Sequence, residues 1–470
     1  MCEDILLVFF IIFGGKKMDE TAENKQKWFV ATLLMGTFTM SISQSALSTA
    51  YPTFMKYFSL PASTIAWLTT GFMLIMSVVM PLSPWLMNNF KFKPLYLTLL
   101  TIFLIGTLII IFAPNFGIMM VGRLMEGFSV GVLFPSYQSV ILEITPIKRR
   151  GTVMGTVGLV MGSALAVGPI VSGVLLRLFD WQAIFVAFMV ILGLVFILAT
   201  KTIGSPMKLK KSGFDFLSVF LSIGIIGLLY FINELPKMAM DNYLNWGIFL
   251  VSLGLLWLFV RRQLKEPEPL LRLDIMTIPN FDLGVALTSL SYMSLITVTI
   301  VMPLYFQQSL GLNPLWSGLS LVPAAALLSW LNRRSGRLAD RIGFKPVIVI
   351  GFVLFIIGWL LLLLTSDLRN IWIAIIGTMV VEAGNAFAMM PATTLGANSL
   401  SDDLIPHGSS IIATVRQILG STAIVIATVI LDLSGFKTVF FTFLILEVFA
   451  LFIALIIKDT KKDTKKMKTA

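Results

Sequence analysis

Of the 470 residues, 57% are hydrophobic and only 13% are charged, and the mean hydropathy is +0.92. Repeated apolar runs near the spanning length of about 20 residues exclude a soluble domain and define an integral membrane protein. Cys2 is the only cysteine and His407 the only histidine, which excludes an internal disulfide framework and argues against a Cys/His metal site.

Fourteen stretches read as spanning helices: 29–51, 62–87, 95–113, 116–142, 152–176, 182–200, 216–233, 245–260, 281–303, 315–332, 346–365, 371–395, 409–431 and 437–457. The formal net charge of +11 could suit nucleic acid, but its placement argues otherwise. With the N-terminus inside, 28 of the 35 Lys and Arg fall in inside segments. The outside loops hold Lys56, Arg177, Lys237, Arg369 and Lys437, and Arg123 and Arg416 lie within spans. That asymmetry follows the positive-inside rule and puts both termini in the cytoplasm.

Residues 1–17 hold a short apolar stretch, Ile5 to Phe13, preceded by Glu3 and Asp4, where a secretory signal would be basic. Either Met18 is the natural start or these residues form a loose interfacial segment. The first span carries Ser41, Ser43, Gln44, Ser45, Ser48 and Thr49. Such residues pack between helices or line an aqueous cavity, and Gln44 is the best cavity candidate because its amide is costly to face into lipid. The second span ends at Pro81-Leu-Ser-Pro84.

The fourth span contains Gly122-Arg-Leu-Met-Glu-Gly127, with Arg123 and Glu126 on one helix face. Charges inside a membrane helix are costly and usually mark a pathway, a relay or a ligand counter-ion. The alternative is an ion pair that only fixes packing. The fifth span is rich in glycine (Gly151, Gly155, Gly158, Gly162, Gly168, Gly173), which allows close approach of another helix. Gly168-Pro169 is expected to bend it.

The stretch 201–214 is basic, and two spans and a linker with loop chemistry, 261–280, follow it. The tenth span runs into Arg333-Arg-Ser-Gly-Arg-Leu-Ala-Asp340-Arg-Ile-Gly343. Gly336 and Gly343 permit a tight turn. Asp340 is expected to accept N–H groups at the start of the next helix, with Arg337, Arg341 and Lys345 as partners for it or for lipid phosphate. The twelfth span holds Glu382, Asn385 and Met389, the thirteenth Arg416-Gln417, and the fourteenth Glu447, a weaker coupling candidate because that span is expected at the periphery. His407, between Pro406 and Gly408, reads as a turn residue.

The chain looks duplicated. Pro135 and Pro391 are 256 residues apart, as are Glu126 and Glu382, while Pro84 and Gly336 are offset by 252. Two six-span halves with a site at their mid-membrane interface form a transporter architecture. The expected organisation is an N-terminal cytoplasmic segment 1–27, a six-helix bundle 28–200, a linker with two extra helices 201–280, a second bundle 281–457 and a basic tail 458–470.

On these residues the chain resembles the major facilitator superfamily, and within it the fourteen-span drug:proton antiporters of the EmrB/QacA type. Gly336-Arg-Leu-Ala-Asp340-Arg-Ile-Gly343-Phe-Lys345 is similar to the superfamily's cytoplasmic loop signature, and Arg123-Leu-Met-Glu-Gly127 resembles the fourth-span signature. Gly162 through Gly168-Pro169 to Gly173 resembles the fifth-span antiporter signature, and Pro267–Leu273 and Leu304–Gln307 look like the same subgroup. Departures occur at Asn88, where an aspartate is usual, at Ser43, where most relatives carry an aspartate, and at Glu126, where glutamine is usual.

The resemblance implies an all-α major facilitator fold of two six-helix bundles plus two inserted helices. It also implies multidrug efflux driven by the proton gradient without cofactor or metal. The partners would be small-molecule drugs, protons and lipid, with no nucleic acid. The chain would act as a monomer in a bacterial cytoplasmic membrane. Glu126, Glu382 and Arg123 are the candidate coupling residues, on the expectation that both carboxylates face one central cavity. Gln44, Met125, Tyr137, Met389 and Asn385 are the candidate substrate contacts, since Met-rich surfaces suit promiscuous binding. Gly336, Asp340, Arg341, Gly343, Gly168 and Pro169 are the candidate gating residues. A metabolite transporter of the same fold, a different coupling ion, or a membrane enzyme or receptor remain alternatives.

Overall fold

The computed structural model describes residues 20–457 except 208, 212 and 236–242. The expected start at Met18, the basic tail and Lys237 lie outside the described residues, as do the side chains of Ser48, Thr49 and Pro169.

The described residues contain helices and no strands. In the first half α1 is Glu20–Phe58, α2 Ala62–Ile65, α3 Trp67–Val79, α4 Ser83–Asn89, α5 Phe92–Ile111, α6 Phe116–Ile144, α7 Arg150–Leu178 and α8 Gln182–Thr202. Next come α9 Phe216–Leu221, α10 Gly224–Glu234 and α11 Tyr243–Gln263. The second half has α12 Pro279–Gln308, α13 Pro314–Leu319, α14 Val322–Ile342, α15 Phe344–Thr365, α16 Ile371–Asn398 and α17 Ile405–Ile456. Ten of the described helical stretches are long and apolar enough to cross a membrane, and Phe216–Ile232 is a shorter apolar one. In lipid the backbone must satisfy its own hydrogen bonds, so helices are the form that these apolar runs can take.

Local chemistry sets the helix ends. Asn115 accepts the Ile118 N–H at the start of α6, and Asn370 accepts those of Trp372 and Ile373 at the start of α16. Prolines 135 and 391 lie inside α6 and α16, as membrane helices tolerate. The second expected span is broken into α2, α3 and α4 and continues past Pro84 to Asn89, because a 3₁₀ turn at Met80–Leu82 accommodates Pro81. The last two expected spans form α17, interrupted at Gly435 with φ +78°. The chain reverses there. Lys437 pairs with Asp367 beyond the end of α15, and Leu455 returns to accept from Lys345 at its start.

Helices α1 to α8 pack on one another, as do α12 and α14 to α17. The halves meet along two seams, α7 against α14 and α6 against α17. Gly106 of α5 lies against Gly122 and Met125 of α6, and Gly358 of α15 against Val381 of α16, so a glycine sits at the crossing of the corresponding helix pair in each half. Helix α10 touches both α3 and α17: Leu74, Ile225, Leu229 and Ile418 form one cluster, and the Trp67 and Tyr230 rings stack at 6.0 Å.

Candidate functional site

The centre of α6 is a closed polar cage. Arg123 and Glu126 are completely buried and paired with each other. Thr107 of α5 donates to Glu126 Oε1 at 2.7 Å, and Ser43 of α1 lies 3.5 Å from Oε2. Arg123 also donates to Ser43 Oγ at 3.3 Å and to the Leu68 carbonyl at 3.3 Å, and sits 4.4 Å from the Phe72 ring centroid. These contacts come from α1, α3, α5 and α6, so among the described residues the hydrogen-bond partners of Glu126 all belong to the first half. The site of the missing first-span aspartate is thus a hydroxyl beside the carboxylate of α6.

In the second half Glu382 is buried with Oε2 unpartnered. Asn385, one turn on, accepts from Ser291 of α12 at 3.4 Å, and its Nδ2 has no partner. No hydrogen bond or ion pair joins Glu382 to Glu126 among the described residues. The last span has an exposed outer face at Phe441, Ile445, Phe449 and Phe452, and Glu447 lies on its inner face. It is completely buried, accepts from Ser294, and Ser294 in turn accepts from Trp359 Nε1 at 3.2 Å. The last arm of α17 packs its Glu447 face on α12 and α15, which burial of the neighbouring Phe443 and Ala450 enforces.

Between the halves, Tyr137 and Met389 belong to one apolar cluster with Met390 and Leu328, against which Tyr292 packs. Gln138 donates to Tyr137 Oη at 3.3 Å. Arg416 of α17 lies 5.2 Å from the Tyr292 ring centroid. Tyr137 and Met389 are therefore buried at this interface, Asn385 is buried against Ser291 of its own half, and Gln44 is only partly buried. Met125 stands apart, its Cβ set against Gly106 within the first half. Sequence reasoning passed over Tyr292 and gave Arg416 no role, although Arg416 is one of two basic residues inside the spans.

One end of the molecule is sealed across the halves. Asp340 does not cap the following α15, as expected, but the start of α7 in the other half. It accepts from Gly151 N at 2.9 Å, Thr152 N at 2.7 Å and Thr152 Oγ1 at 2.5 Å. Burial pushes its carboxyl above the usual aspartate range, against the pull of these donors. Gly336 makes no turn. It lies inside α14 where a Cβ would meet the Gly151 carbonyl, and the turn belongs to Gly343 at φ +100°. Arg337 and Arg341 are exposed, and Lys345 donates to Leu455.

Arg150, which the sequence did not single out, completes the seal. It pairs with Asp402 at 2.9 Å and donates to Asn398 at 3.3 Å, both of the second half. Ser410 donates to the Met80 carbonyl at 2.7 Å on the other seam. His407 lies in the first turn of α17 rather than in a loop and accepts from the Arg272 N–H at 3.3 Å.

Along the α7–α14 seam, Gly151, Gly155, Gly158 and Gly162 all lie within contact range of the second half. Farther along, Gly168 faces Ser45 of its own half and Gly173 faces nothing within 4 Å. Helix α7 nevertheless runs unbroken from Arg150 to Leu178. The seam is closed at the Asp340 end.

Two packed helical halves with buried charges in their spans, tied together across one end, define a membrane transporter scaffold. The Major Facilitator Superfamily model matches residues 33–423 and 334–469, and the chain belongs to that superfamily. It is 34% identical over 394 residues to the MFS-type transporter YcnB of Bacillus subtilis, covering 83% of each chain. It is 32% identical over 410 residues to the lincomycin resistance protein LmrB of Listeria innocua, covering 86% of each. The proton:xylose symporter XylE shares the fold, with a TM-score of 0.69 over 92% of this chain and 96% of that one, at 14% identity. The superfamily and these relatives are transporters, not enzymes.

Proposed function

We propose that the protein is a proton-coupled exporter of amphipathic drug-like molecules, cationic or zwitterionic, working by alternating access as a monomer in a bacterial cytoplasmic membrane. Fourteen spans with both termini inside fit the Lys and Arg distribution. In that orientation the Asp340 end is cytoplasmic, and the sealed state is the outward-facing arm of the cycle. The relative named for lincomycin resistance supports a drug-like cargo.

The observation that carries this reading is the buried Arg123–Glu126 pair with two hydroxyls at the carboxylate. An ionised Glu126 neutralises Arg123. A protonated one keeps the Thr107 and Ser43 contacts but leaves the guanidinium without a counter-charge. A pair that breaks and re-forms with one proton biases a two-state element. Glu382, equivalent by repeat, is the second proton carrier in this scheme, and no cofactor is needed.

The test uses proteoliposomes with an imposed pH gradient and reads efflux of ethidium and norfloxacin. Wild type should export in a gradient-dependent way. Glu126→Gln and Glu382→Gln should each retain drug binding and lose gradient-driven flux. Full transport in both variants would overturn the coupling assignment.

A further inference from the structure

The interface between the halves holds a cation with no counter-ion. Arg416 is 9% exposed, yet among the described residues it makes no hydrogen bond or ion pair, and its Nε is buried without a partner. The other deeply buried arginines are compensated: Arg123 by Glu126, and Arg150 by Asp402, Asn398 and the Thr145 carbonyl. Neither Glu382 nor Glu447 pairs with Arg416. Removing one charge from water without its opposite costs several kcal/mol, roughly, so an idle guanidinium at this depth calls for an anion from outside the chain.

The surroundings fit such an anion. Arg416 sits 5.2 Å from the Tyr292 ring centroid, a contact that supplies no counter-charge, and a guanidinium can fork a carboxylate with its N–H groups. Tyr137, of the other half, belongs to the apolar cluster against which Tyr292 packs, and its hydroxyl accepts from Gln138 at 3.3 Å. Polar atoms beside these residues are also unused: Gln138 Oε1, next to Tyr137, and Thr414 Oγ1, two residues before Arg416, are buried without partners. Met389 and Phe134 supply apolar surface in the same cluster.

We propose that Arg416, with the hydroxyls of Tyr137 and Tyr292, binds a carboxylate carried by the transported molecule. The cargo range then includes amphipathic molecules that carry a carboxylate, zwitterions among them. Because Tyr137 and Arg416 lie on opposite halves, the bound carboxylate bridges them. Only the naming of the carboxylate's carrier as cargo rests on the exporter reading above.

The experiment measures binding of norfloxacin, which carries a carboxylate, and of its methyl ester to the purified full-length chain in lipid nanodiscs. Wild type should bind the acid at least tenfold more tightly than the ester. Arg416→Gln should weaken acid binding at least tenfold and leave ester binding within twofold, while Arg416→Lys should keep part of the preference. Equal binding of acid and ester by wild type, no binding of either, or an acid preference unchanged in Arg416→Gln would each overturn the proposal. If Arg416→Gln does not fold, the wild-type comparison and Arg416→Lys still decide. Arg416-dependent acid binding without proton-driven efflux would keep the anion site and remove the exporter reading. Proton-driven ethidium efflux without any acid preference would do the reverse.

Discussion

Asp340 accepts the Thr152 N–H at 2.7 Å and its hydroxyl at 2.5 Å, joining α14 to the start of α7 across the two halves. In the sealed state burial pushes this carboxyl above its ordinary value. When the end opens, the carboxyl returns to water and to the ordinary range. The sealed state therefore binds a proton more readily than the open one. The contribution of this group to sealing is present at low pH and is lost as pH rises through the sealed-state value. Spin labels at the exposed positions Lys148 and Arg337, in a chain with Cys2 replaced, should report a larger sealed population as pH falls from neutral to about 4–5. Asp340→Asn should remove that pH dependence. A sealed population that falls on acidification in the parent chain would contradict the assignment.

The glycine seam gives opposite expectations at its two ends. A methyl at Gly336 would enter the Gly151 backbone, so Gly336→Ala should force the sealed end apart. Overpacking of this kind costs about 1–3 kcal/mol, and the same spin-label pair should show a lengthened distance with transport lost. A methyl at Gly173 meets nothing within 4 Å. Gly173→Ala should leave the sealed-state distance and thermal stability unchanged while slowing transport, because the closing of the far end brings helices to that position. Unchanged transport in Gly173→Ala would mean that the seam does not close there.

Much of this scaffold was legible in the sequence. The apolar runs gave the helices because lipid leaves the backbone no other partner, and the 256-residue spacing of Pro135 and Pro391 marked a duplicated helix crossing that recurs at Gly106 and Gly358. The Arg123–Glu126 pair followed from i,i+3 spacing alone. What escaped was any contact between residues far apart in the chain. The spacing around Asp340 indicated a cap but could not say which helix it caps. Arg150 read as one more basic loop residue until Asp402, 252 positions away, was found beside it. The inward aspect of Glu447 escaped because hydropathy does not tell which face of an apolar helix meets lipid.

Glu447 links three helices through Ser294, and Ser294 also holds Trp359. The amide of Glu447→Gln offers the same acceptor to Ser294 in nearly the same volume, so thermal stability should stay close to that of the parent. Glu447→Ala removes the acceptor and opens a cavity between α12, α15 and α17, with an expected loss of about 2–4 kcal/mol. Melting of the purified protein in detergent measures both. Gradient-driven efflux should persist in Glu447→Gln, and its loss there would move Glu447 from a structural link to a coupling group.

The Arg123–Glu126 pair allows stability and function to be separated. Arg123→Met leaves a buried carboxyl beside Phe72 without its cation, and breaking one side of a buried pair costs about 3–5 kcal/mol. Adding Glu126→Leu removes the orphaned charge and replaces the pair with apolar volume. The double variant should recover most of the lost stability, since a buried pair contributes little net free energy over well-packed apolar residues. Thr107 retains a partner in that background, the Phe103 carbonyl at 3.0 Å, whereas Ser43 loses both of its hydrogen-bond partners, Glu126 and Arg123. Proton-driven efflux should be absent from both the single and the double variant. A double variant that is stable and still transports under a pH gradient would show that the pair only fixes packing. The coupling proton would then have to be sought at Glu382.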